Sequence, residues 1–279
     1  MEEREGTVTQ WVDGVPCRLI REEDFSWLAG YGRVLALRDD RPSGVLWFFM
    51  EGPYGRLIVK YAGAWTAVGG ARPYESVLRL RDAAAYYEAG HPALLPLLAH
   101  GAAGAGYAAV FPWTELRTLA QCRDQARRLP LDRQLRMLDG IFDLHAWLSE
   151  NGMVSAGVSD ENLLIDPETG KAVAWDIDAY RRKPAVNDRG RMYGDSRFLS
   201  PEEYEKDQPL TESTTVYHLG ALVFALLGNE GKRDRESWIG PGSLYPMAER
   251  ACREKRGERP PSVRAFLDAW REAVGRLFR

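Results

Sequence analysis

The first third of the chain alternates between short apolar runs and turn-rich segments, which predicts β-strands. Runs at 34–37, 45–50 and 57–61 predict three antiparallel strands, and the run at 107–113 predicts another. Asp13-Gly14 between two alternating runs predicts a hairpin within residues 1–24, because this dipeptide readily adopts the backbone of a two-residue hairpin turn.

Helical spacing dominates the remainder. Residues 73–88 predict one helix, and 132–150 predict an amphipathic helix whose apolar positions recur every three to four residues. His145 lies on that apolar face and is interpreted as a core histidine. The run 215–227 is almost entirely apolar and predicts a buried helix, and 248–256 and 262–277 predict two more helices with polar faces.

Two basic regions interrupt this pattern. The arginines at 123, 127, 128, 133 and 136 are interpreted as a solvated surface. The segment 179–193 is basic and irregular, which is typical of a mobile loop beside a functional site.

A hairpin is predicted at the centre of the chain. Strands at 163–165 and 172–175 flank a turn at 166–170, so Asn162 begins one strand and Asp176 follows its partner. This would place an amide and a carboxylate side by side, and such oxygen ligands suit Mg²⁺.

Several motifs occur in an order that resembles protein kinases. The segment 155–178 resembles the kinase catalytic loop and metal-binding triplet, here Asp176-Ile177-Asp178. GDSRFLSPEE (194–203) resembles the end of an activation segment, and ERPPSVRAFL (258–267) resembles the late motif whose arginine pairs with its glutamate. The chain thus resembles divergent bacterial serine/threonine protein kinase-like proteins over about residues 25–267. This resemblance implies a pair between Glu202 and Arg259.

The resemblance implies an α+β fold of two lobes. Residues 25–112 would form a small antiparallel β-rich lobe with one main helix, and 113–279 a larger, mostly helical lobe. Residues 1–24 would form an N-terminal extension.

The same resemblance implies ATP and Mg²⁺ in the cleft between the lobes. Lys60 would contact the phosphates and pair with an acid on the following helix. Asp82 and Glu75 are the alternatives, and counting back from His91 favours Asp82. Mg²⁺ would be held by Asn162 and Asp176.

Adenine contacts are implied at the segment that would join the lobes. Phe111 occupies the position that gates the adenine pocket. Because Pro112 has no N–H group, contacts would come from its carbonyl and from Trp113.

Three positions depart from the kinase pattern. Gly157 stands where the catalytic-base aspartate belongs, and Asp160 is the candidate that would replace it in a rerouted loop. The loop 39–44, at the place of the glycine-rich phosphate loop, has one glycine and two carboxylates. Thr215 replaces the aspartate that usually begins the buried helix.

Three function hypotheses follow from these residues. The first is a serine/threonine kinase-like protein that binds ATP and Mg²⁺, with phosphotransfer weakened by Gly157. The second is a catalytically inactive pseudokinase that acts as a binding or regulatory scaffold for a protein partner. The third is a small-molecule phosphotransferase, which the pair implied between Glu202 and Arg259 disfavours.

Composition limits which kinds of partner and which cellular compartment are expected. The net charge of −3 gives no basis for a nucleic-acid partner. Three scattered cysteines, an acidic N-terminus and the lack of a long apolar run predict a cytoplasmic protein without membrane association.

Overall fold

The computed structural model describes residues 6–68, 72–229 and 232–279. These residues form six α-helices and several antiparallel sheets, so the predicted mixed α+β class is confirmed. The chain divides into two compact units. Unit 1 comprises Met1–His91 and Leu95–Glu115, and unit 2 comprises Pro92–Leu94 and Leu116–Arg279.

Unit 1 contains a hairpin, a five-stranded sheet and one α-helix. The elements are β1 (Val8–Val12), β2 (Val15–Leu19), β3 (Arg33–Arg38), β4 (Leu46–Gly52), β5 (Gly55–Ala62), α1 (Pro73–Glu88), β6 (Ala99–Ala103) and β7 (Gly106–Pro112). β1 pairs with β2, and the sheet has the antiparallel order β3-β4-β5-β7-β6.

Side-chain alternation gives the sheet of unit 1 two buried faces. One face, which includes Phe48, Val59 and Tyr61, packs against Cys17 and Leu19 of the hairpin. The residues that alternate with these in β4, β5 and β7 point to the other face of the sheet, and α1 packs against that face.

The predicted strands and helix of unit 1 are confirmed, but β6 was not predicted. Its sequence Ala-His-Gly-Ala-Ala has no alternation of large apolar and polar side chains, so it carries no strand pattern.

Unit 2 is mainly helical. Its helices are α2 (Arg123–Arg127), α3 (Leu131–Glu150), α4 (Glu212–Leu227), α5 (Tyr245–Ala251) and α6 (Val263–Leu277). Its short strands are β8 (Arg117–Thr118), β9 (Met153–Val154), β10 (Leu163–Asp166), β11 (Lys171–Ala174), β12 (Arg181–Arg182), β13 (Ala185–Val186) and β14 (Pro209–Leu210).

The core of unit 2 surrounds the apolar helix α4, which is buried over nearly its whole length. The apolar face of α3 packs on α6 through contacts of Phe142 with Phe266 and Trp270. The helix predicted at 248–256 has the wrong bounds: α5 begins at Tyr245 and stops at Ala251, before a charged, glycine-containing stretch.

The basic segment after the central hairpin is anchored rather than irregular throughout. β12 pairs with β9 and β13 pairs with β14. The fully buried Asn187 donates through its side chain to the carbonyls of Gly190 and Glu202. These contacts hold the segment against the core of unit 2.

Within the described ranges, each helix is too short or too polar to cross a lipid bilayer.

Candidate functional site

The Lys60 side chain is enclosed by aromatic rings of unit 1. It is 1% exposed, and its Nζ lies 4.2 Å from the ring centre of Trp47, 5.4 Å from that of Phe111 and 5.7 Å from that of Tyr87. β4, β7 and α1 each supply one of these rings. Ring faces attract a desolvated ammonium group, so this enclosure compensates part of the cost of burying Lys60.

The loop 39–44 is bound to its own unit. Asp39 accepts hydrogen bonds from the backbone N–H (2.8 Å) and the guanidinium (2.7 and 3.0 Å) of Arg18. Burial acts to raise the pKa of Asp39, but the hydrogen bonds and charge of Arg18 hold it below its usual value. The Ser43 carbonyl accepts from the Ser76 hydroxyl of α1 at 2.7 Å, and Arg41 stacks over Trp47.

The two candidate acids occupy different turns of α1. Glu75 closes the N-terminal turn, where its carboxylate accepts from the backbone N–H of Arg72 at 3.0 Å in a capping box. Asp82 lies two turns further along and is partly buried. Glu75 is thus used by the helix cap, and the pairing of Asp82 with Lys60 stays a prediction.

The residues assigned to adenine are already engaged within unit 1. Phe111 is fully buried and packs edge-on against Tyr87 at 4.8 Å. The backbone N–H of Trp113 donates to the Arg56 carbonyl at 3.1 Å, and its indole N–H donates to Glu115 at 2.8 Å. Neither N–H group of Trp113 is available to a base in this arrangement.

The predicted central hairpin is confirmed in unit 2, with Leu163 opposite Ala174 in the register of β10 and β11. The Asn162 Oδ1 accepts from the Ser159 N–H at 2.7 Å and from the Ser159 hydroxyl at 3.0 Å. These two bonds use both lone pairs of the oxygen. Asn162 as arranged therefore does not fit the role of a Mg²⁺ ligand.

Asp176 follows β11 and is 6% exposed. Its Oδ1 accepts from the backbone N–H of Asp178 at 3.3 Å. Burial, and then the nearby charge of Asp176, raise the pKa of Tyr180. Among the described residues, no cluster of three or more His, Cys, Asp or Glu side chains is arranged to hold a metal ion.

His145 is a satisfied core histidine, which confirms its interpretation. It is fully buried, its Nδ1 lies 2.7 Å from the Ile141 carbonyl and its Nε2 lies 2.9 Å from the Tyr180 hydroxyl. The Nδ1 contact lies within α3, and the Nε2 contact with Tyr180 joins α3 to the segment after the hairpin.

Gly157 adopts a left-handed backbone with φ +70°. A Cβ at this position would lie 3.5 Å from the Tyr193 carbonyl oxygen, so the segment around Tyr193 lies against the position where the resemblance would place a catalytic base. Ser155, two residues before Gly157, is also fixed: its backbone N–H donates to the Thr215 hydroxyl at 3.2 Å. Thr215 thus supports this loop from the buried helix α4.

Asp160 is fully buried between two arginines. Arg123 donates to its carboxylate through Nε at 3.0 Å and also through Nη2, and Arg197 donates to both oxygens at 3.4 Å. Arg197 is also bound to Asp195 at 2.9 Å. A carboxylate fixed by two guanidinium groups is poorly placed to accept a proton from a substrate.

The predicted pair between Glu202 and Arg259 is confirmed. It is bidentate, with distances of 2.8 and 3.0 Å, and both side chains are buried. The next residue, Glu203, is also fully buried and accepts from the Ser200 N–H (2.8 Å) and hydroxyl (2.9 Å). His218 lies 2.5 Å from the same Glu203 oxygen.

This pair predicts a pH dependence of stability. Burial acts to raise the pKa of Glu202, but Arg259 holds it below its usual value. A lowered folded-state pKa contributes stability above the unfolded-state pKa of about 4.3, and the contribution is lost as pH falls through the folded-state value. We expect the wild-type advantage over Glu202→Gln in denaturant unfolding to shrink below about pH 4. An advantage that is unchanged down to the acid transition would contradict this.

The sequence did not predict the side-chain contacts that hold Asp160 and Asn162. Arg123 and Arg127 were interpreted as solvated, and this is wrong: Arg123 binds Asp160, and the Arg127 Nε donates to the Ala225 carbonyl at 3.1 Å. A local signal existed only for Ser159, since serine three residues before asparagine suits a side-chain turn.

Comparison with protein-family models and with curated protein sequences found no match to the chain.

Proposed function

We propose that the protein is a kinase-like scaffold without phosphotransfer activity, a pseudokinase that acts by binding a protein partner. The observation that carries this proposal is the engagement of Asp160 by Arg123 and Arg197, combined with Gly157 at the position of the base. A positioned general base typically accelerates a reaction by about 10²–10⁴-fold, so its loss alone would cripple phosphotransfer.

The nucleotide contacts support the same proposal. An ammonium enclosed by three rings, as at Lys60, cannot contact a phosphate without rearrangement. The Trp113 N–H groups and the Asn162 amide oxygen would have to give up existing hydrogen bonds to bind adenine and Mg²⁺. For the buried bonds between Asn162 and Ser159 this exchange would weaken binding, because a buried polar group left without its partner costs about 1–3 kcal/mol.

The bidentate pair between Glu202 and Arg259 supports the kinase-like assignment over a small-molecule phosphotransferase. The resemblance makes that pair a protein-kinase feature, and it is present here although the catalytic positions have diverged. A scaffold needs the buried pair of Glu202 with Arg259 for its fold, and it does not need a catalytic base at position 157.

We expect thermal unfolding of the full chain to be unchanged by millimolar ATP with Mg²⁺. A ligand present at 100 times its Kd would stabilise the folded state by about 2.7 kcal/mol and shift the Tm by several degrees. Incubation with radiolabelled ATP and a generic protein substrate should likewise show no phosphate transfer above a protein-free blank.

The matched variants for this experiment are Lys60→Met, which removes the charge and keeps an unbranched side chain one atom shorter, and Asp176→Asn, which keeps the shape. A Mg²⁺-dependent upward shift that both variants abolish would overturn the proposal in favour of a nucleotide site. Phosphate transfer that depends on Asp176 would establish the kinase-like enzyme instead.

A further inference from the structure

A cavity of about 670 Å³ lies in unit 2 and is lined by none of the residues 155–178. It is lined by residues of three segments, 183–185, 209–213 and 256–261. The volume falls in the range of ligand pockets, which is about 300–1,000 Å³.

The wall of this cavity is mostly apolar and rich in proline. The apolar lining residues are Pro184, Ala185, Pro209, Leu210, Pro260 and Pro261. Proline has no N–H group, so the four prolines of this wall supply no backbone hydrogen-bond donor. Proline rings and aromatic rings pack well on each other in peptide recognition, and here the receptor supplies the prolines.

The polar side chains of the wall are fixed by partners. Lys183 donates to the Ser149 carbonyl at 2.7 Å and to Glu212 at 2.9 Å, and Arg259 is held by Glu202. The pairing of β13 with β14 fixes the opposite side. The cavity is thus preformed, which lowers the conformational cost of binding.

Arg256 supplies a positive charge without a carboxylate partner among the described residues. Its guanidinium donates to the Pro209 carbonyl at 3.0 Å and to the Gln208 amide oxygen at 2.5 Å, both neutral acceptors. The side chain remains partly exposed. An acidic group on the occupant would complement this charge.

The cavity is open along one side rather than enclosed. Pro184, Pro209, Gly257 and Pro261 line it and are exposed to solvent. An open, preformed groove suits a chain segment better than it suits a small molecule, because the segment can continue past the pocket in both directions. Of its cations, Lys183 and Arg259 are paired with carboxylates, and Arg256 bonds to neutral acceptors.

We propose that this cavity is a docking site for an extended segment of a partner protein that carries an aromatic side chain beside a carboxylate. The aromatic ring fills the proline-lined pocket, and the carboxylate pairs with Arg256. The inference rests on the proposed function, because it names the kind of partner segment that the scaffold binds, and the cavity contains none of the positions assigned to nucleotide. A failed peptide titration would therefore leave the result with ATP standing.

The test is a titration of the full chain with the peptide acetyl-GSFDSG-amide, followed by NMR of the backbone amides. We expect shifts centred on Ala185, Leu210 and Gly257. Replacing Phe by Ser in the peptide should abolish them. Replacing Asp by Asn should weaken binding by about fivefold, the order of a partly exposed ion pair.

Two variants of the protein make the test specific. Arg256→Gln should bind the Phe-Asp and Phe-Asn peptides equally. Gly257→Trp should block the cavity, because Gly257 lines it. The fold should tolerate the change, because no heavy atom other than those of the adjacent residues lies within 4 Å of the position of its Cβ. Gly275→Trp on α6 is the matched control, with equally open surroundings, and should bind like wild type.

Three outcomes would overturn the proposal. The first is shifts that lie elsewhere or are missing at millimolar peptide. The second is equal binding of the Phe-Asp and Phe-Asn peptides to the wild-type protein. The third is binding of free 3-phenylpropionate as tight as that of the peptide, which would assign the cavity to a small aromatic acid.

Discussion

Replacing Glu202 by alanine is expected to destabilise unit 2 by about 3–5 kcal/mol, the usual cost of breaking a buried ion pair. The Arg259 side chain is completely buried and would lose its counter-charge. Its remaining partners are neutral: the carbonyls of Arg253, Ser213 and Glu254, and the ring of Tyr217. The expected fall in Tm is roughly 10 °C, measured by calorimetry or circular dichroism.

Glu150→Ala provides a matched control. Glu150 makes the same bidentate contact with Arg264, at 2.7 and 3.1 Å, but both side chains are about two-fifths to one-half exposed. An exposed pair contributes at most about 1 kcal/mol, so this variant should stay close to wild type. Equal losses of stability in the two variants would show that burial does not determine the strength of the Glu202 pair.

The fold elements were predictable where local pattern and local structure agree. The hairpin at Asp13-Gly14 and the helix α1 follow from turn chemistry and spacing, and the structure has both within a residue or two. The strand β6 was not predictable in this way. Its small side chains give no pattern, and its place in the sheet is set by pairing with β7.

Contacts of the candidate site were predictable from the sequence only where both residues of a pair belong to recognisable motifs. The pair of Glu202 with Arg259 could be inferred because each residue belongs to a recognisable motif, although 57 positions separate them. The engagement of Asp160 could not be inferred, since Arg123 and Arg197 each lie 37 positions away and no recognised motif pairs either arginine with Asp160. Side-chain contacts of this kind depend on tertiary packing that spacing does not encode.

The contacts of Asp160 lead to a second large expected effect. Asp160→Ala should destabilise unit 2 by about 2–3 kcal/mol, because it leaves Arg123 and Arg197 without their shared carboxylate. The cost is below that of a fully buried pair, since the two arginine side chains are 26% and 34% exposed and Arg197 keeps Asp195. Denaturant unfolding monitored by tryptophan fluorescence measures this loss.

A double-mutant cycle separates this structural role from a catalytic one. Arg123→Gln combined with Asp160→Asn should show a coupling of about 1–2 kcal/mol, since the two side chains contact each other directly. Asp195→Ala serves as the control, because Asp195 contacts Arg197 but is itself 37% exposed and should cost less than about 1 kcal/mol. If Asp160→Ala kept wild-type stability and instead abolished a measurable phosphotransfer, Asp160 would be a catalytic base and the scaffold proposal would fail. A stability loss with the expected coupling identifies Asp160 as the anchor that ties the loop to α2 and to the segment around Arg197.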